Sequence, residues 1–306
     1  MKSKPKIFVI GSANMDMVIN ADHFPLPGET LMGGEFSLIP GGKGANQAVA
    51  AARLGGNVSF LTQLGDDVFG TQNLDNYQKE GINTSLIKLN PEKPSGVALI
   101  TVDKSGENTI IVAPGANAEL SVEDIHKAKG FFEAADMVLV QLEIPISVVF
   151  EACKVASELG KKVILNPAPA SVLPPEIFPL LYLITPNETE TEQLTGIRVF
   201  DEKSAEEACV SFLKKGVQNV IITLGSAGAY LFSKEFKGKI ATNKVAVLDT
   251  TAAGDTFNGA LAVALVGGGS MIDAVKFALK AATLSVTKMG AQSSIPYLKD
   301  ISDQVN

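Results

Sequence analysis

Short runs of consecutive apolar residues alternate along this chain with longer stretches in which apolar positions recur every three or four residues. The first pattern predicts a buried strand and the second an amphipathic helix. Strands are expected at Lys6–Ile10, Val58–Leu61, Met137–Val140, Lys162–Leu165, Tyr182–Ile184 and Asn219–Thr223. Helices are expected over 43–54, 70–80, 121–129, 146–159, 187–195, 204–215, 254–266 and 270–289. Strands buried on both faces and separated by helices predict an α/β fold, a mostly parallel central sheet with helices on both faces. Ligands of such sheets gather at the carboxyl ends of the strands. Residues just after each strand are therefore the first candidates for chemistry.

Two stretches break the alternation. Residues 14–38 carry no long helical pattern and contain Pro25, Pro27, Gly28, Gly33 and Gly34. Residues 95–112 read as a hairpin, with Gly96–Val102 and Thr109–Val112 flanking Lys104-Ser-Gly106. They form either a small β-lid or an ordinary edge extension of the main sheet. The expectation is one α/β domain over 1–306, with insertions at about 14–38 and 95–112.

Composition narrows the classes. The chain has 306 residues, 46% of them hydrophobic, enough for a large core. Its net charge is −7 and it has no basic stripe, so nucleic acid and anionic membrane are poor partners. Lys2, Lys4 and Lys6 precede only four apolar residues before Gly11, too few for a signal peptide. Two cysteines, Cys153 and Cys209, make no disulfide framework and point to a reducing cytoplasm. Two histidines and no Cys-x-x-Cys argue against structural zinc.

Several polar motifs follow strands. In Gly11-Ser-Ala-Asn14-Met-Asp16, Ala13 and Asp16 occupy the places of the second and third glycines of a dinucleotide fingerprint. That fingerprint fails, and Asn14 with Asp16 suits a polyol, or is simply a polar turn. In Gly41-Gly42-Lys43-Gly44-Ala-Asn46, Ser37 and Gly44 spoil a Walker loop. A glycine-rich helix start carrying Lys43 and Asn46 remains, open to close approach of a small polar ligand, or its glycines serve turn geometry alone. Thr185-Pro-Asn187-Glu188-Thr-Glu190 predicts a capping box from Thr185 to Glu188. Asn187 and Glu190, outside that box, share a helix face and suit the water shell of Mg²⁺ on a nucleotide, or compensate the helix dipole. Thr223-Leu-Gly225-Ser226-Ala-Gly228 and Glu143 also follow strands.

The strongest motif is Asp249-Thr-Thr251-Ala252-Ala253-Gly254-Asp255-Thr-Phe-Asn-Gly259. Small residues open a helix there, and unpaired N–H groups with the positive dipole end suit a phosphate. A carboxylate is the wrong group for holding a phosphate. It is the right one for taking a proton from a hydroxyl that attacks one. Phosphoryl transfer to an alcohol follows.

Together these motifs resemble the ribokinase family of carbohydrate kinases over the whole length, from Gly11-Ser-Ala-Asn-Met-Asp to Gly290-Ala-Gln-Ser-Ser294. Asn166-Pro-Ala-Pro-Ala170 adds to the likeness. The resemblance implies ATP-dependent phosphorylation of the 5-hydroxyl of D-ribose. It implies Asp255 as base and an anion hole from the N–H groups of Ala252, Ala253 and Gly254. Asn14, Asp16, Gly42, Lys43, Asn46 and Glu143 match its sugar-binding set. Asn187, Thr223, Gly225, Ser226 and Gly228 match its nucleotide contacts, with Glu190 acting on Mg²⁺ through water. Asp249, Thr251, Ser285, Lys288, Gly290 and Ser294 match a monovalent-cation (K⁺) site. A lid that closes over the sugar and pairs with a second copy in a homodimer is implied too. Leu279 departs from the Asn or His of relatives and implies looser nucleotide selectivity. The competing readings are a kinase for another sugar or a nucleoside, and a non-catalytic sugar sensor, which has no need of Asp255.

Overall fold

The structure, a computed structural model, describes residues 4–302. The chain opens with β1 (Lys6–Ile10), β2 (Asn14–Asn20), β3 (Phe36–Gly41), α1 (Lys43–Arg53), β4 (Asn57–Leu61), β5 (Gln63–Gly65) and α2 (Val68–Lys79). It continues with β6 (Lys88–Asn90), β7 (Gly96–Val102), β8 (Asn108–Ala113), α3 (Val122–Lys127), α4 (Lys129–Ala134), β9 (Met137–Val140), α5 (Ile146–Glu158) and β10 (Lys162–Leu165). Then come β11 (Leu183–Ile184), α6 (Glu188–Thr195), α7 (Glu202–Lys214), β12 (Asn219–Thr223), β13 (Ala229–Phe232) and β14 (Lys237–Ile240). Helices α8 (Ala253–Val266), α9 (Met271–Ser285) and α10 (Leu298–Ser302) close it.

The main sheet runs β14-β13-β12-β11-β10-β9-β1-β4. It is parallel from β4 to β12, while β13 and β14 pair antiparallel at one edge. Alternation along β1 divides the core. Ile7 and Val9 pack with α1, α8 and α9, while Phe8 and Ile10 pack with α3, α4 and α5 on the other face. The chain leaves β1 toward β4 on one side and later builds β9 to β12 on the other. That reversal makes a crevice at the carboxyl end of β1.

A second sheet, β3-β2-β7-β8, stands off the first. Its strands come from the two stretches that broke the alternation. Cross-strand partners Met17, Leu38, Leu99 and Ile111 share one face, and Asp16, Ile39, Ala98 and Val112 the other. The first face stays open: Leu99 is 51% exposed and Ile111 70%.

Two expectations need correction, and one element was not expected at all. The helix expected over 270–289 stops at Ser285. Beyond it the chain turns so that the Val286 carbonyl accepts the N–H groups of Leu248 and Asp249. The helix expected over 121–129 is broken in two at Ala128. The edge hairpin β13–β14, short and adjoining glycine-rich turns, escaped the pattern entirely. Among the described residues no helix is long and apolar enough to cross a membrane.

Candidate active site

Helices α1 and α8 build the centre of the crevice because they approach closely. A Cβ on Gly259 would fall 2.6 Å from that of Ala50 and 2.7 Å from the Gln47 carbonyl. Only glycine permits that spacing, and it brings the first turns of both helices together. Asp255, in the first turn of α8, is buried. Its two oxygens accept separate amide donors from α1, Asn46 Nδ2 at 2.9 Å and Gln47 Nε2 at 3.1 Å.

The turn before α8 is strained. Ala252 is the N-cap and sits at φ 59°, the left-handed region that a Cβ disfavours. Such strain persists where surrounding contacts impose it, often at sites of function. No side chain caps this helix. The Ala253 N–H donates to the Thr250 carbonyl at 3.2 Å. Gly254 and Asp255 lie in the first turn, where the helix supplies no carbonyl of its own for their N–H groups.

The sugar-side candidates cluster where β2 leaves the main sheet. Asn14 and Asp16 are two apart on β2 and share a face. Asn14 Oδ1 accepts from Asn117 Nδ2 at 2.8 Å, and Asn117 also clamps the Ala13 peptide through its N–H (2.9 Å) and carbonyl (3.1 Å). Gly41, opposite, has no room for a Cβ because the Asp16 carboxylate fills that space. Gly42, at φ 89°, caps α1 without a side chain. Glu143, beyond β9, supplies the missing acceptor: its Oε2 takes the Lys43 N–H at 3.0 Å and the Ser12 hydroxyl at 2.5 Å.

Charge is concentrated here. Burial, then the charges of Glu143 and Asp255, push the Asp16 carboxyl up to about 7, with Lys43 opposing. Burial of Lys43 disfavours its cation, but Asp255, Glu143, Glu190 and Asp16 outweigh that and hold its pKa above the ordinary value. Lys43 is therefore a firmly charged ammonium among four carboxylates.

A cleft of about 200 Å³ continues past Lys43 and Asp255 to Asn187, Glu190, Thr223 and the 252–254 turn. The expected Thr185–Glu188 capping box is not formed. The N-cap is Asn187, whose Oδ1 accepts the Glu190 N–H at 2.8 Å while Glu190 Oε2 accepts the Asn187 N–H at 2.9 Å. The cause is local. The Thr185 N–H still belongs to the sheet, donating to the Leu165 carbonyl at 3.0 Å, and a residue before proline resists helical backbone. The helix thus begins two residues later, and Asn187 and Glu190 are the box. Burial raises the Glu190 pKa, against the Asn187 N–H and the Lys43 charge. Thr223 joins the same rim through a bridge to Asn187. Gly225 and Ser226 lie exposed in the following turn, and Gly228, at φ 98°, is packed against the Ile240 carbonyl. Leu279 lines a separate cleft of about 280 Å³ with Thr242, Asn243, Val245 and Thr283.

The cation-set residues come from two segments held together. Asp249 Oδ1 accepts the N–H (2.8 Å) and hydroxyl (2.6 Å) of Thr251, and its Oδ2 accepts the Gly290 N–H at 2.8 Å. The Ser285 and Ser294 hydroxyls are each turned back onto carbonyls, of Ala282 and Ala291, at 2.8 Å. Lys288 donates its N–H to the Ser285 carbonyl at 3.1 Å. Among the described residues no group of three or more His, Cys, Asp and Glu is placed to hold a metal.

Sequence reasoning missed Ser12, Gln47, Asn117, Gln141, Asn166 and Asn258 as parts of this site. Ser12 and Asn258 sat inside motifs already singled out, Gln47 directly follows one, and Gln141 and Asn166 directly follow strands. Asn117 had no signal, because its role arises from a turn folded back on Ala13.

The model of the pfkB family carbohydrate kinases matches residues 4–298. The chain is 46% identical to a ribokinase of Haemophilus influenzae over 288 residues, 94% of each protein. It superposes on the ribokinase structure from Thermotoga maritima with TM-score 0.87 at 42% identity, covering 98% of this chain and 99% of that one. On the ribokinase of Arabidopsis thaliana complexed with ribose and ATP the TM-score is 0.90 at 32% identity, covering 99% and 98%. With its crevice built from two helix starts of small residues and its fold that of solved ribokinases, the chain belongs to the pfkB family of carbohydrate kinases.

Proposed function

We propose that this chain transfers the γ-phosphate of ATP to the 5-hydroxyl of D-ribose, giving D-ribose 5-phosphate and ADP. The observation that carries the reading is Asp255, a buried carboxylate held by two amides beside an uncapped helix start. In this reading Asp255 takes the proton of the attacking hydroxyl, and the N–H groups of the 252–254 turn hold the transferring phosphoryl oxygens. Asn14, Asp16, Gly42, Lys43, Asn46 and Glu143 bind the sugar. Asn46 Oδ1 is buried without a protein partner, which suits a sugar hydroxyl as donor. The firmly charged Lys43 lies where charge builds up between sugar and phosphate.

Asn187, Thr223, Gly225, Ser226 and Gly228 flank the nucleotide, whose base lies in the cleft lined by Leu279. An apolar Leu279 packs on a ring but reads no edge, so base selectivity is loose. Glu190 has one carboxylate oxygen left by the capping box, which fits water-mediated contact to Mg²⁺ carried on the phosphates. Asp249, Thr251, Ser285, Lys288, Gly290 and Ser294 offer carboxylate, hydroxyl and backbone carbonyl oxygens, hard ligands that fit K⁺. Bound there, K⁺ would stiffen the turn that opens α8.

The small sheet acts as a lid over the sugar, and its open apolar face, with Leu38, Leu99 and Ile111, pairs with a second copy. Buried free thiols at Cys153 and Cys209 suit a cytoplasmic setting. The test is ADP release coupled to a dye, with D-ribose, ATP, Mg²⁺ and K⁺. Turnover is expected, with Asp255→Asn slower by about 10²–10⁴. No turnover by the unaltered protein, or an undiminished Asp255→Asn, overturns the reading.

A further inference from the structure

Gln47 is fully buried and belongs to neither the sugar-binding nor the nucleotide-binding set. Its Nε2 donates to Asp255 Oδ1 at 3.1 Å and to Asn166 Oδ1 at 3.0 Å. Its Oε1 accepts from Gln141 Nε2 at 2.7 Å. The polarity of this chain of amides is set from its far end. The Thr185 carbonyl can only accept, so Asn166 points its Nδ2 there, at 3.3 Å, and its oxygen toward Gln47. Turning the Gln47 amide over would set its oxygen against two acceptors and its nitrogen against a donor. Both its hydrogens are thereby committed, one of them to the carboxylate.

Thr185 also governs the turn beside that carboxylate. Its hydroxyl donates to Asn258 Oδ1 at 2.7 Å, and Asn258 Nδ2 donates to the Gly254 carbonyl at 2.8 Å. Gln141, Asn166 and Thr185 directly follow β9, β10 and β11. The ends of three parallel strands therefore orient the carboxylate and its helix start through one buried relay.

We propose that Gln47 is a positioning residue for the phosphoryl transfer: its bond to Oδ1, opposite the Asn46 bond to Oδ2, fixes the plane in which the Asp255 carboxylate meets the attacking hydroxyl. The inference rests on the reading of Asp255 as the base. It differs from a packing role in what it moves. Loss of the donor frees the carboxylate to turn out of its reactive orientation and disfavours its ionised form, while sugar and nucleotide contacts stay in place.

The test is the pH dependence of kcat and kcat/KM for Gln47→Met, which keeps length and volume without donors, and Gln47→Glu, which adds a like charge. Loss of the fixed orientation of the base predicts that kcat falls about 10–100-fold. KM for ribose and ATP should stay within about threefold, since neither substrate loses a contact. The acid limb should move to higher pH in Gln47→Met and further in Gln47→Glu. If Gln47→Met does not fold, Gln141→Met decides. It leaves the contact to Asp255 but frees the other end of the amide, and a smaller shift of the same sign is expected. Variants that lose thermal stability yet keep the acid limb and kcat of the unaltered protein overturn the proposal. Asp255→Asn, run in parallel, separates the two failures. If it stays active, the base reading falls and this inference with it. If it is inactive while the Gln47 and Gln141 variants match the unaltered protein, only this inference falls.

Discussion

Asn46 Nδ2 reaches Asp255 Oδ2 across 2.9 Å, so a residue of α1 holds a residue of α8 that lies 209 positions later. Neither helix could present this pair alone. Asn46→Ala removes the donor and the buried oxygen beside it. Steady-state kinetics should give a kcat lower by about 10–100-fold, because the carboxylate is no longer held in its reactive orientation. KM for ribose should rise as well, which separates this variant from those at Gln47.

Asp16 should make the protein sensitive to pH. Its carboxyl is pushed up to about 7, chiefly by burial and then by Glu143 and Asp255. The folded state thus keeps a proton that the unfolded chain has lost above about pH 4. Native protein binds more protons across that window, so the contribution is fully present only below about pH 4 and is lost as pH rises through about 7. Asp16→Asn should flatten this slope in chemical denaturation. Ribose binding by the unaltered protein should tighten from about pH 6 to about pH 8 as the carboxylate ionises, and calorimetry should find that trend gone in Asp16→Asn.

Gly42→Ala tests the sharp bend between the small sheet and α1. Gly42 is at φ 89°, and a Cβ there would lie 2.7 Å from the Asn14 backbone nitrogen and 2.8 Å from Ala13 Cα. Neither backbone atom can yield cheaply. Thermal or urea unfolding should show a loss of about 1–3 kcal/mol, as for strain at a special backbone position.

The open face of the small sheet tests pairing. Leu38, Leu99 and Ile111 lie in one cross-strand row with Met17, on the face opposite Asp16. An exposed apolar surface of this kind marks an interaction site. Sedimentation should give a dimer for the unaltered chain and a monomer for Ile111→Glu, since a buried unpaired charge is costly. A monomeric unaltered chain would rule the pairing out.

Local pattern carried much of the architecture. Buried runs at β1, β9, β10 and β12 are short and apolar on both faces, so hydrophobic periodicity alone predicted the parallel order of layers. Asp255 was legible for the same kind of reason: a carboxylate after Ala252-Ala253-Gly254 at a helix start is a local chemical oddity. The Asn187–Glu190 box was misplaced because two overlapping cap patterns fit the same six residues. The sheet's hold on the Thr185 N–H, a tertiary contact, chose between them.

What the sequence by itself determined is which segments are strands or helices and which polar residues fall at their junctions. Those follow from interactions among neighbours a few residues apart. Only the tertiary structure decided that Gln141, Gln47 and Asn166 form one relay onto Asp255, and that Glu143 caps a helix a hundred residues before it. An amide has no local signature, because it packs, donates and accepts with equal ease. Its role is set by whichever groups the fold brings within about 3 Å.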